Sequence, residues 1–137
     1  MRRLLMVCAL ALALVSSVSA QTYPSITAGP QTLLNAATTG TGATLNVNGK
    51  AVQLTVAIQA TGTISGGTIV VEEAYYQTQT YTGTWSVIRT FTGATDFSTS
   101  SQTVFHSQAP AGYWKVRARI GSSITGGGTV TVTAWTN

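Results

Sequence analysis

Few side chains in this chain could act as acids, bases or nucleophiles. The carboxylates are Glu72, Glu73 and Asp96, and His106 is the only histidine. Glu72 and Glu73 are adjacent, so on a strand they would face opposite sides of a sheet, whereas a glycosidase needs two carboxylates flanking one bond. Asp96 lies in a predicted loop with no obvious carboxylate partner. We therefore predict no catalytic acid–base pair and expect these carboxylates to be solvated or salt-bridged at the surface.

His106 also lacks recognisable partners for nucleophilic or metal chemistry. A Ser-His-Asp arrangement would need Asp96 and one of many serines, and the sequence has no GxSxG nucleophile elbow. Zinc sites collect three or four ligands, and the only cysteine, Cys8, lies in the apolar N-terminal segment. The glycines at 126–128 lack the lysine and helix of a phosphate-binding loop. We expect no catalytic, cofactor-binding or metal-binding residues, and a protein that is not an enzyme.

A row of cations is the first candidate interaction surface. Lys115, Arg117 and Arg119 are spaced by two, which places them on one face of a strand over about 14 Å. Such a row could dock onto an acidic protein, a glycan or an envelope surface. The alternative, which we favour, is an ordinary solvated face that discourages edge pairing.

Aromatic residues form the second candidate surface, because amphipathic rings can stack on sugars. Trp85 and Trp114 fall in alternating patterns typical of a core. Tyr81 lies in the predicted loop 77–84, so we expect it to be the most exposed aromatic residue. The full set is Tyr75, Tyr76, Tyr81, Trp85, Tyr113, Trp114 and Trp135.

The charge balance argues against a nucleic-acid partner. The formal net charge of +4 includes Arg2 and Arg3, so the remainder of the chain carries only +2. A nucleic-acid-binding domain usually shows a denser basic patch. Threonine dominates the polar residues, and Thr, Val and Ile favour strands.

The N-terminus has the pattern of a secretory signal peptide. Arg2 and Arg3 precede an apolar stretch at 4–15, and Val18 and Ala20 supply the small residues of a cleavage site. A membrane-spanning helix needs about 20 apolar residues, more than this stretch has. We expect residues 1–20 to be cleaved, 21–42 to be an extended arm, and 43–137 to form the domain. The product would be extracellular, with no membrane contact after cleavage.

Short strands separated by Gly, Asn and Ser turns are predicted from residue 43 onward. In 52–59 a strict alternation predicts one buried face and one wet face. In 84–91 Trp85 and Val87 are expected on one side, with Trp85 in the core. In 113–120 Trp114 and Val116 are expected to point inward, and in 129–135 Val130 and Val132 are expected to share one face. This pattern predicts a single antiparallel β-sandwich, of jelly-roll or Ig-like type, or a small barrel. The predicted strands are at about 43–47, 52–59, 68–76, 84–91, 102–106, 113–120 and 129–135.

The segments QTLLNAATTGTGATLNVNG, VQLTVAIQATGTISGGTIVVE, GTWSVIRTFTG and YWKVRARIGSSITGGGTVTVTAW cover most of 31–135. Together they resemble small Thr/Gly-rich β proteins encoded by tailed bacteriophages. Trp114, Arg117 and Ile120 match the penultimate strand of those proteins, where they look structural.

The resemblance implies a virion decoration or accessory protein that assembles with itself, as a homo-oligomer, or with a larger particle or cell-surface structure. The signal peptide departs from that pattern, because virion proteins of tailed phages assemble inside the cell. An exported chain would be a phage-derived domain adapted for secretion. A secreted carbohydrate- or surface-binding module is the alternative function.

Overall fold

The part of the chain that the structure describes folds into eight β-strands. The computed structural model describes residues 30–47, 53–75, 84–98, 101–108 and 114–136. Within them the strands are β1 (Gln31–Ala37), β2 (Thr41–Val47), β3 (Gln53–Thr61), β4 (Gly66–Tyr75), β5 (Ser86–Thr92), β6 (Gln102–Gln108), β7 (Trp114–Thr125) and β8 (Thr129–Thr136). Their arrangement confirms the predicted all-β class.

Two four-stranded antiparallel sheets pack face to face as a β-sandwich. Sheet A has the order β1-β8-β3-β6, and sheet B has the order β2-β7-β4-β5. The first strand pairs with the eighth, the second with the seventh, the third with the sixth and the fourth with the fifth. Only β4 and β5 are both consecutive in sequence and adjacent in a sheet. Every other link between consecutive strands passes from one sheet to the other.

Alternating apolar residues build the core between the sheets. In β7 the residues Trp114, Val116 and Ala118 are buried, and in β8 the buried residues include Val130 and Val132. Both patterns were predicted, because a period of two places every second side chain on one face. The glycines at 126–128 connect β7 to β8, and because these strands lie in different sheets the connection is not the hairpin that the glycine pattern had indicated.

The sandwich begins before the expected domain boundary. Residue 43 falls inside β2, and β1 lies within the segment expected to be an extended arm. Leu33 and Leu34 are both buried, because β1 pairs with β8 at the edge of sheet A. β1 and β2 approach so closely that a Cβ on Gly42 would overlap the carbonyl oxygen of Leu33. The described part of the arm is thus an integral strand.

The side-chain pattern of β5 also differs from the prediction. Val87 is 56% exposed, and Trp85 is only half-buried. The pairing of β4 with β5 shifts register between Val71 and Glu72, so that Arg89 pairs with Val71 and Val87 pairs with Glu72. One extra residue in β5 therefore breaks the simple alternation from which a core position for Trp85 was predicted.

Several expectations fall on other parts of the chain. The signal peptide at 1–20, the first part of the arm, and Tyr81 lie outside the described residues. None of the described segments forms an apolar helix of membrane-spanning length.

Candidate interaction surfaces

The outer face of sheet B carries a buried ion-pair network. Glu72 on β4 lies opposite Arg117 on the neighbouring β7. The Nε atoms of Arg117 and Arg119 each donate a hydrogen bond of 2.8 Å to a different carboxylate oxygen of Glu72. The Glu72 side chain is 6% exposed, against 25% for Arg117 and 35% for Arg119. Two of the three cations in the predicted row are thus paired within the molecule, and the third, Lys115, is half-buried on the same face.

The two arginines keep Glu72 ionised. Burial by itself raises the pKa of the Glu72 carboxyl group, because it removes water from the charged form. Hydrogen bonds from Arg119 and Arg117, together with their positive charges, outweigh this effect and hold the pKa of Glu72 below its ordinary value. Glu72 is therefore a fixed negative charge that organises the cationic row.

Arg117 makes a second contact on the same face. Its guanidinium carbon lies 4.1 Å from the centroid of the Trp85 ring. A guanidinium group this close to an indole face gains cation–π attraction. Trp85 is therefore an outer-face residue that covers the ion pair, and the prediction of a core position for it is wrong.

Arg89 occupies the open side of the sandwich between β5 and β6. Its guanidinium carbon lies 5.1 Å from the ring centroid of Phe91 in sheet B and 5.0 Å from that of Phe105 in sheet A. The two rings meet edge to face, with centroids 5.9 Å apart. This cation links the two sheets through aromatic contacts.

Sheet A differs sharply from sheet B in charge. Its four strands contain no Asp, Glu, Lys or Arg. We call its outer surface the neutral face, formed by Gln53, Thr55, Ala57, Gln59, Gln102, Val104, His106, Thr131, Thr133 and Trp135. It offers amides, hydroxyls, one imidazole and one indole.

Thr55 lies at the centre of the neutral face, between Trp135 and His106 on the neighbouring strands. Its hydroxyl is hydrogen-bonded to His106 Nδ1 at 3.0 Å. Thr55 is 1% exposed, and neighbouring Ala57 is 6% exposed. The middle of the predicted wet face of β3 is thus covered by side chains from the flanking strands, including an exposed imidazole and a half-buried indole.

The remaining acidic residues and His106, all within the described segments, lie apart from one another. Glu73 pairs with Val116 on the inner side of sheet B and is half-buried, and this burial raises the pKa of its carboxyl group. Asp96, in the β5–β6 connection, accepts a hydrogen bond of 2.7 Å from the Thr92 backbone N–H. His106 and the ion pair of Glu72 lie on the outer faces of different sheets. Among the described residues, no group of three or more His, Cys, Asp or Glu side chains could hold a metal ion.

Sequence reasoning found Arg117 and Arg119 but missed their partner. Glu72 was expected to be a solvated or salt-bridged surface acid, with no particular cation assigned to it. The signal that could have found the pair is the register between β4 and β7, which depends on the folded sheet. The placement of Thr55 between Trp135 and His106 was missed for the same reason, since these residues come from three different strands.

No protein-family model matches the chain, and no curated protein matches it either. The strand order and the two outer faces are therefore the features from which function is inferred.

Proposed function

We propose that this chain is a non-enzymatic structural protein of a phage-like particle, serving as a decoration or accessory component of the particle surface. The observation that carries the proposal is the strand order. Each strand of the first half pairs with its counterpart in the second half, from β1 with β8 to β4 with β5. This is one long double-stranded ribbon wrapped into two sheets.

A wrapped ribbon of eight antiparallel strands is the jelly-roll arrangement. Jelly rolls occur in viral capsid proteins and in lectins, among other proteins. The strand order therefore agrees with the resemblance to phage virion proteins, and it favours a jelly roll over an Ig-like sandwich. Fold alone does not define function, so the particle assignment needs its own test.

The surface of the molecule is also consistent with a structural role. Arg117 and Arg119 are committed to Glu72, and Asp96 is hydrogen-bonded to backbone. Side chains held in this way fix the geometry of sheet B and of the β5–β6 connection, as a structural role requires.

The test is co-purification with particles. Particles released by cells that encode the chain would be separated on a density gradient, and the chain would be quantified by mass spectrometry in each fraction. We expect it to co-sediment with the particles and to be released only by conditions that strip surface proteins. A chain found solely in the soluble fractions, while capsid proteins band in the gradient, would contradict the proposal.

The neutral face supports a second candidate function, carbohydrate binding. An indole ring beside amides and hydroxyls suits a neutral sugar, because the ring stacks on its apolar side while polar groups bind its hydroxyls. Trp135 and Gln59 provide these two kinds of group. The exposed aromatic residue expected from sequence was Tyr81, which lies outside the described residues.

Carbohydrate binding would be tested with insoluble neutral polysaccharides. We expect Trp135→Ala to abolish retention, whereas Val87→Ala, an exposed residue of sheet B, should leave it unchanged. Absence of retention of the wild-type protein on a panel of neutral glycans would eliminate this candidate.

A further inference from the structure

Among the described strands, four border the two sheets, and these edge strands differ in how they are protected. β1 and β6 border sheet A, and β2 and β5 border sheet B. An unprotected edge presents unpaired N–H and C=O groups to which another strand can bind. Natural sheets guard such edges with bulges, charges or proline.

Three of these edges are interrupted and one is regular. The pairings of β1 with β8, β2 with β7 and β5 with β4 each contain a register shift. The pairing of β6 with β3 runs without a shift through seven consecutive residue pairs, from Gln53 with Gln108 to Gln59 with Gln102. β6 is therefore the one described edge with an uninterrupted strand geometry.

The hydrogen-bond alternation of β6 identifies the groups at its free edge. The Ala60 N–H donates a 3.0 Å hydrogen bond to the Ser101 carbonyl, just before β6 begins. In an antiparallel ladder every second residue pair is hydrogen-bonded, so Thr103 and Phe105 direct their backbone groups toward β3. The backbone groups of Val104 and His106 consequently point away from the sheet.

The side chains of β6 also favour pairing with a copy of itself. The strand itself contains no Asp, Glu, Lys or Arg, so the paired strands would place no like charges of their own directly opposite each other. Val104 is 48% exposed at this edge. The edge at β5 would instead place two copies of Arg89 next to each other, which is unfavourable.

We propose that β6 pairs antiparallel with β6 of a second copy of the chain, extending sheet A to eight strands across a two-fold axis. Such a contact is isologous, because the same strand serves both copies. The inference deepens the proposed assembly role, on which it rests, by naming the partner and the edge. One strand pair is smaller than a standard interface of about 1,200–2,000 Å², so we expect a weak dimer that forms only at high protein concentration.

A proline substitution at the free edge tests this pairing. Val104→Pro removes an N–H that points away from β3, and proline is tolerated at edge positions of this kind. The control is Val104→Thr, which shortens the apolar surface but keeps the N–H. In analytical ultracentrifugation of the purified protein, the wild type and Val104→Thr should dimerise with increasing concentration, while Val104→Pro should stay monomeric with an unchanged far-UV circular dichroism spectrum.

Hydrogen exchange provides a second readout that needs no variant. As wild-type concentration rises, the amides of Val104 and His106 should become protected, whereas that of Thr103, already bonded within the sheet, should change little. A wild-type protein that is monomeric at about 1 mM, or a Val104→Pro protein that dimerises as strongly as wild type, would overturn the proposal. Particle association is measured separately on the gradient, so the two proposals can fail independently.

Discussion

Glu72 binds Arg117 and Arg119 at the same time, so its charge affects two cations that have no other described acidic partner. Replacing Glu72 by Gln keeps the shape of the side chain but leaves the two guanidinium groups facing each other. Removing one partner of a fully buried pair costs about 3–5 kcal/mol. Because the arginines are partly exposed and can regain water, we predict that Glu72→Gln lowers the free energy of unfolding by about 1–3 kcal/mol.

Urea denaturation at neutral pH would measure this loss, with Glu73→Gln as the matched control. Glu73 has no described ion pair, so its substitution should be neutral or stabilising. A Glu72→Gln protein as stable as wild type would show that the network contributes nothing to folding.

The two adjacent glutamates also predict opposite effects of pH. The pKa of Glu72 is lowered in the folded protein, so its contribution to stability is present above the ordinary glutamate pKa and is lost as pH falls through the folded value. The pKa of Glu73 is raised, so the folded state is penalised above that raised pKa, and stability is regained as pH falls toward the ordinary value. Together they place a stability maximum near the ordinary glutamate pKa of about 4.3.

Thermal unfolding between pH 2 and 8 would reveal these two slopes. Glu73→Gln should reduce the loss of stability between the maximum and neutral pH. Glu72→Gln should reduce the loss of stability between the maximum and acid pH. If both substitutions changed the same limb of the profile, the assignment of opposite pKa shifts would be incorrect.

At the level of elements, β1 shows where the domain must begin. It contributes Leu33 and Leu34 to the core, and its connection to β2 is bound to β7 by hydrogen bonds from Ile120 N–H to the Gly40 carbonyl and from Ile124 N–H to the Thr38 carbonyl. Burying one leucine stabilises a fold by roughly 1.5–3 kcal/mol, a large share of a typical 5–15 kcal/mol. We predict that a chain starting at residue 30 folds cooperatively and that one starting at residue 43 does not.

Circular dichroism and heteronuclear NMR spectra of the two truncated chains would distinguish these cases. Dispersed amide resonances from the chain starting at residue 43 would show that β1 is dispensable, and the earlier boundary would then be correct.

The sequence predicted well those strands whose buried side follows from the alternation of apolar residues within the strand itself. Alternation alone identified the buried sides of β7 and β8, because each inward residue, such as Val116 or Val132, is apolar. It failed for Trp85, since the register shift opposite Glu72 is a property of two paired strands. It also missed the contact of Glu72 with Arg119, because the register between β4 and β7 depends on the folded sheet.

For the whole molecule, the nested pairing of strands has a kinetic consequence. Of the strands that the structure describes, only β4 and β5 form a local hairpin, whereas β1 pairs with β8 from the opposite end of the described chain. Sandwiches dominated by such non-local contacts fold in milliseconds to seconds. We predict refolding on this timescale, followed by stopped-flow fluorescence of buried Trp114, and sub-millisecond refolding would contradict it.

The absence of ionic side chains from sheet A makes the two broad sides of the molecule chemically unlike. In an antiparallel β6 pair the two-fold axis stands perpendicular to the sheet, so both copies turn the same side in the same direction. The dimer would have two chemically different sides. The neutral faces of both copies would lie on one side, and the arginine–glutamate clusters of sheet B would lie on the other. A flat target with repeating binding sites could bind the neutral face of both copies at once. Such bivalent binding by a rigid dimer would increase the avidity.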